Sequence, residues 1–80
     1  MNNTQEAINF CKNVKAIRNR NALDIETMAN YIGVSPSELM DIEKGEIPFY
    51  LSVSVLFNIY FNFGVSPLII FRSPDDTPIY

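Results

Sequence analysis

The stretch DIETMANYIGVSPSELMDIEKG, which runs from Asp24 to Gly45, decides the fold of this chain. Asp24 is a good helix N-cap, because its carboxylate accepts a hydrogen bond from a backbone N–H that has no partner within the helix. The apolar residues that follow at helical spacing, and that predict the buried side of a short helix, are Ile25, Met28, Ala29 and Ile32. Gly33 is expected to end this helix in the left-handed conformation, which glycine adopts without a Cβ penalty.

Three start signals predict a second helix shortly after Gly33. Ser35 is the N-cap, and Pro36 lies in the first turn, where its missing N–H costs nothing. Glu38 completes a capping box with the serine. The inward positions are Leu39 and Ile42, and the run ends at Gly45. A helix, a tight turn and a second helix together make a helix-turn-helix unit.

The composition indicates one small globular domain. The chain has 80 residues, 48% of them hydrophobic, which is enough for a single core and too apolar for disorder. One cysteine, Cys11, and no histidine argue against an intramolecular disulfide and a zinc site, so we expect no metal and no cofactor. Without a long apolar run or a signal-peptide pattern, the chain is expected to be cytoplasmic, with no membrane partner.

Further helices are predicted on both sides of the central stretch. Thr4 caps a first helix that runs to about Arg20. A last short helix is expected over Leu68 to Phe71. Residues 1–71 are therefore predicted to form one domain, and residues 72–80 an extended, proline-containing tail.

The predicted fourth helix is unusual because it carries no charged residue. It follows Ser52 as N-cap and closes at Gly64. Its buried face is predicted to comprise Val53, Leu56, Phe57, Tyr60 and Phe63. The apolar residues that remain, and that are expected to face outward, are Val55, Ile59 and Phe61. A helix that is apolar nearly all round is normally covered on more than one side.

Over residues 8 to 71, the chain resembles the lambda-repressor-like, Cro/XRE-type helix-turn-helix domains. The residues that carry the resemblance are Ile17-Arg18, Leu23, Met28-Ala29, Ile32-Gly33-Val34-Ser35, Leu39, Ile42-Glu43-Lys44-Gly45, and Ser52 through Gly64-Val65-Ser66. The resemblance implies an all-α, five-helix fold in which the third helix reads DNA. It also implies a partly buried ion pair between Arg18 and Glu43, which would tie the first helix to the end of the third.

The positions that the resemblance places against DNA or a partner are Ser35, Ser37, Glu38, Met40, Asp41 and Lys44. The early base-reading positions hold none of the residues that make strong bidentate base contacts. Between Asp24 and Leu51 there are six acidic residues against Lys44 alone, and the whole chain carries a net charge of −3. DNA binders usually carry a positive excess, because most of their affinity comes from neutralising phosphates.

Two functions therefore compete. The first is a small, dimeric transcription regulator that binds duplex DNA through the third helix. The second is a regulator that binds a repressor protein instead, such as a phage-type antirepressor, through the acidic helix and an apolar interface. That interface, which serves equally for a homodimer, is predicted to comprise Phe49, Tyr50, Val55, Ile59 and Phe61. An enzyme with a small-molecule substrate is not expected, since the sequence has no histidine and no glycine-rich phosphate loop, and its carboxylates lack a paired setting.

Overall fold

The computed structural model describes residues 4–48 and 50–74. In this part of the chain the fold is all-α, with four helices and no strand. The helices are α1 (Gln5–Arg20), α2 (Ile25–Ile32), α3 (Pro36–Glu43) and α4 (Ser54–Phe63). Helix α2 packs against both α3 and α4, and α1 packs against α3. Phe49 and residues 75–80, which include most of the predicted tail, lie outside the described residues.

The caps of the first three helices form as the sequence predicts. Thr4 Oγ1 accepts a hydrogen bond from the Ala7 N–H at 3.2 Å, and Asp24 Oδ1 accepts one from the Thr27 N–H at 2.7 Å. Gly33 ends α2 with φ +84°, in the left-handed region. A Cβ added there would lie 2.9 Å from Asn58 Nδ2, so both the backbone angle and the space favour glycine.

The core is built from one side of each helix and from two residues after α4, Val65 and Ile70. Its buried apolar members are Phe10, Cys11, Val14, Ile17, Met28, Ala29, Ile32, Leu39, Ile42, Val55, Ile59, Val65 and Ile70. Cys11 is a small core residue, and burial raises the pKa of its thiol. The inward positions predicted for the second and third helices are thus largely correct, although Ile25 is only partly buried.

The predicted rotation of α4 is wrong. Val55 and Ile59, expected to face outward, are each only 1% exposed, whereas Phe57, expected in the core, is 50% exposed. The side-chain amide of Asn58 donates to the Ile32 carbonyl at 3.0 Å, and that of Asn62 donates to the Tyr31 carbonyl at 3.2 Å. These two amides dock α4 on the end of α2, so polar contacts set a rotation that an apolar pattern cannot specify.

The start of α4 also differs from the prediction. The helix begins at Ser54, and Val53 in the N-cap position makes no side-chain hydrogen bond. Ser52 lies one residue too early for the predicted role. Its hydroxyl instead accepts a hydrogen bond from the Ser54 N–H at 3.1 Å.

The predicted fifth helix is a series of turns. The N–H groups of Ile69 and Ile70 both donate to the Ser66 carbonyl, at 2.9 and 3.0 Å, but no α-helix follows. Two buried asparagines of α1 hold this segment: Asn13 Nδ2 donates to the carbonyls of Ile70 at 2.6 Å and Arg72 at 2.9 Å, and Asn9 Nδ2 donates to that of Phe71 at 3.1 Å. Side-chain amides therefore donate to backbone carbonyls that would accept backbone N–H groups if the helix continued.

Candidate DNA- or partner-facing surface

An ion pair fixes α3 relative to α1. Arg18 Nε donates to Glu43 Oε2 at 2.6 Å and Arg18 Nη2 to Glu43 Oε1 at 2.9 Å, the bidentate geometry that a guanidinium favours. Arg18 Nη1 also donates to the Leu23 carbonyl at 3.0 Å. The hydrogen bond to Glu43 raises the pKa of Arg18. The pair implied by the resemblance is therefore present, and it joins α1, the turn before α2 and the last residue of α3.

The first turn of α3 uses two of the predicted contact residues for its own cap. The Glu38 N–H donates to Ser35 Oγ at 3.0 Å, and the Ser35 N–H donates to Glu38 Oε1 at 2.7 Å. The Tyr50 hydroxyl also hydrogen-bonds to the Glu38 carboxylate. The backbone contact to Ser35 lowers the pKa of Glu38, and the contact to Glu38 raises the pKa of Tyr50. Ser35 and Glu38 are thus committed to internal hydrogen bonds.

The other four predicted contact residues lie together on the outer side of α3. We call Ser37, Met40, Asp41 and Lys44 the α3 stripe. Their spacing of i, i+3, i+4 and i+7 places them on one face, and Leu39 and Ile42 are buried on the opposite face. Asp41 is half-buried, whereas the other three are exposed. The stripe offers a hydroxyl, a thioether, a carboxylate and an ammonium group.

The surface around the stripe is acidic. Asp24, Glu26 and Glu46 are exposed, and Asp41 adds a fourth carboxylate that is partly accessible. Of the two remaining carboxylates between Asp24 and Leu51, that of Glu43 is neutralised by Arg18, and that of Glu38 accepts the Ser35 N–H in the cap of α3. Among the described residues between Asp24 and Leu51, Lys44 is the only cation.

The predicted apolar interface is only partly exposed. Tyr50 and Phe61 are exposed, Phe61 at 75%, while Val55 and Ile59 belong to the core. Phe57 and Tyr60, which were predicted to be buried, join Phe61 at the surface, with ring centroids 6.5 Å and 5.5 Å from that of Phe61. We call Phe57, Tyr60 and Phe61 the aromatic patch. Only the rotation of α4 reveals it, because the helix sequence has no charged face that would indicate which side is outward.

The fold places three lysines around one hollow. Lys12 and Lys15 of α1 and Lys44 at the end of α3 line one hollow of about 400 Å³, which we call the lysine hollow. Its other lining residues are Ile8, Cys11, Glu43 and Gly45. The lysines of α1 are some 30 positions from Lys44 in the sequence, so only the packing of α1 against α3 brings them together.

Among the described residues, no helix has the length and apolar character needed to cross a membrane. Comparison of the chain with family models, with curated proteins and with solved structures gives no match in any of the three.

Proposed function

We propose that this chain is a small transcription regulator of the lambda-repressor-like helix-turn-helix class, and that it binds duplex DNA through α3. The α3 stripe carries the proposal: four side chains lie on the outward face of the second helix of a helix–turn–helix pair, opposite its buried residues. The Arg18–Glu43 pair supports it, because it holds the end of α3 in a fixed position relative to α1.

In this mechanism α3 enters the major groove, which is wide enough to admit one helix. The Asp41 carboxylate accepts a hydrogen bond from cytosine N4, the Ser37 hydroxyl contacts a base edge or a phosphate, and Lys44 neutralises a phosphate. Glu38 takes no part, since its carboxylate is held by the Ser35 N–H and by Tyr50. We therefore expect sites that present cytosine where Asp41 reaches the groove.

The test is a titration of labelled generic duplex DNA with the purified protein, followed by fluorescence anisotropy at low and moderate salt. We expect weak binding that falls as salt rises, because non-specific affinity comes mainly from phosphate contacts. Lys44→Glu should abolish binding. Arg72→Glu makes the same charge change at an exposed position outside the α3 stripe and should retain most of the DNA binding. A flat titration, or equal binding by Lys44→Glu, would contradict the proposal.

A second function is favoured by the acidic surface around the stripe. In this alternative the chain binds the basic DNA-reading face of a repressor protein, and its exposed carboxylates speed the encounter by electrostatic steering. Under this alternative the native chain gives a flat DNA titration. Reversing two charges, with Glu26→Lys and Asp41→Lys, should then create salt-dependent DNA binding, because the same helix pair would present a basic surface. The alternative would be rejected if the native chain bound DNA and this double variant did not.

A further inference from the structure

We propose that the lysine hollow binds a phosphate group, and that in the DNA complex this group is a phosphodiester beside the major groove that α3 enters. The inference rests on the proposed function for the source of the phosphate, although the hollow itself is defined by geometry alone. The hollow would supply affinity for the DNA backbone, which α2 and the acidic surface around α3 do not provide.

The hollow concentrates the positive charge of an otherwise acidic chain. It is lined by Lys12, Lys15 and Lys44, which are three of only six basic residues in the sequence. The one acidic residue in its lining is Glu43, and both oxygens of that carboxylate accept hydrogen bonds from Arg18. The ion pair is neutral as a unit, so the three ammonium groups give the hollow a net positive charge. Asp41 and Glu46 are near Lys44 in the sequence but do not line the hollow.

The shape and chemistry of the hollow fit an oxyanion. Each ammonium group carries three N–H donors on a flexible stem, so three lysines around one concavity can converge on a tetrahedral phosphate. Gly45 leaves the rim open, since a Cβ added there would meet nothing within 4 Å. The apolar side chains of Ile8 and Cys11 contribute no competing acceptor that is charged.

The position of the hollow connects it to the proposed DNA surface. Lys44 belongs both to the α3 stripe and to the hollow, so the two features are continuous around the end of α3. When the stripe faces the groove, the DNA backbone that borders the groove passes next to Lys44. Lys12 and Lys15 then extend the contact from one phosphate toward the side of α1.

The first experiment tests the hollow without DNA. Inorganic phosphate is titrated into the ¹⁵N-labelled chain, and the amide resonances of Ile8, Cys11 and Gly45 are followed by NMR. We expect saturable shifts in the native chain and their loss in the double variant Lys12→Gln/Lys15→Gln. Arg72→Gln is the control. Arg72 is exposed and does not line the hollow, so this variant removes a positive charge elsewhere and should keep the shifts.

The second experiment measures DNA binding by the same three proteins over a range of salt concentrations. Each phosphate contact contributes about −0.9 to the slope of log K against log salt, so losing two lysines should make the slope shallower by roughly 1.8. A shallower slope in the double variant, and not in Arg72→Gln, assigns the hollow to the DNA backbone.

The remaining outcomes separate the hollow from the proposed function. Phosphate-dependent shifts without DNA binding by the native chain support the hollow as a site for free phosphate and overturn the DNA function. Phosphate-dependent shifts with DNA binding of unchanged slope assign the hollow to free phosphate and overturn its role on DNA. DNA binding with an unchanged slope and no response to phosphate overturns the proposed phosphate site and leaves the DNA-binding function standing. A null result in both titrations overturns both proposals.

Discussion

At the scale of single residues, the Arg18–Glu43 pair is the contact on which the position of α3 depends most directly. Arg18 makes three hydrogen bonds, and the Glu43 side chain that it neutralises is only 8% exposed. Breaking one half of such a pair costs more than the pair itself contributes, because a carboxylate is left poorly hydrated and without its partner. Arg18 therefore has a structural role, and its replacement should lower the stability of the fold whether or not the chain binds a partner.

Arg18→Ala should lower the free energy of unfolding by about 2 kcal/mol, which for a chain of this size lowers Tm by roughly 10 °C. Thermal unfolding followed by circular dichroism measures the change. Arg72→Ala removes an exposed arginine and should shift Tm by little. Adding Glu43→Gln to Arg18→Ala should recover part of the loss, since no unpaired charge then remains. An unchanged Tm for Arg18→Ala would show that the pair does not hold the fold.

Asn13 is a second residue whose role is structural. It is fully buried, and its amide supplies the partner for two backbone carbonyls of the C-terminal turns. Asn13→Leu keeps a similar volume but leaves those carbonyls without a donor, so we expect a loss of about 2 kcal/mol in urea unfolding. Asn30→Leu, at an exposed position on α2, is the matched control. A variant as stable as the native chain would mean that the C-terminal turns are held by Ile70 and Phe71 packing alone.

At the scale of helices, the caps of α2 and α3 make stability depend on acid. Hydrogen bonds from the Thr27 hydroxyl and then the Thr27 N–H lower the pKa of Asp24 below its usual 3.8, and the Ser35 N–H lowers the pKa of Glu38 below its usual 4.5. A carboxyl whose pKa is lower in the folded state stabilises the fold above its usual pKa. That contribution is lost as the pH falls from about 4.5 through the lowered values.

The double variant Asp24→Asn/Glu38→Gln should therefore lose less stability than the native chain between pH 5 and pH 2. Asparagine and glutamine keep the capping hydrogen bonds but do not titrate in this range. Urea midpoints measured across the range give the comparison, with Glu46→Gln as a control for an exposed carboxylate outside the caps. Parallel acid curves for the native chain and the double variant would show that the caps do not set the acid dependence.

The same helices show why the sequence predicts some elements and not others. Thr4, Asp24 and Ser35 specify helix starts through local hydrogen bonds, which need only neighbouring residues, and all three predictions are confirmed. The rotation of α4 depends on Asn58 and Asn62 reaching carbonyls of α2, a contact between residues that are 26 and 31 positions apart. The C-terminal turns depend on asparagines some 60 positions away. Long-range polar contacts of this kind leave no periodic trace in the sequence.

At the scale of the whole molecule, the fold sorts the charged and apolar groups onto separate surfaces. The α3 stripe was predictable, because helical spacing alone places its four residues on one face. The lysine hollow and the aromatic patch were not, because the first needs α1 packed on α3 and the second needs the rotation of α4. The molecule thus carries an acidic surface around α3, a basic hollow at its border, and an exposed aromatic patch on α4.

The aromatic patch leads to a prediction about assembly. Phe57 and Phe61 are 50% and 75% exposed on a helix that has no charged residue, and contiguous exposed apolar side chains usually mark an interface. We expect the chain to self-associate through α4, and Phe57→Ser/Phe61→Ser to be monomeric in sedimentation velocity runs at micromolar concentrations. Leu68→Ser removes a more exposed apolar side chain outside α4 and should leave association unchanged.

Self-association would also raise DNA affinity, since a dimer presents two copies of α3 and each helix can engage its own half-site. The Phe57→Ser/Phe61→Ser variant should therefore bind DNA more weakly than the native chain, although its α3 stripe and lysine hollow are unchanged. The loss should be large on DNA with two half-sites and small on DNA with one, because only the former requires both subunits. A native chain that is monomeric at all concentrations, or a variant with full affinity for two half-sites, would show that α4 is not the dimer interface.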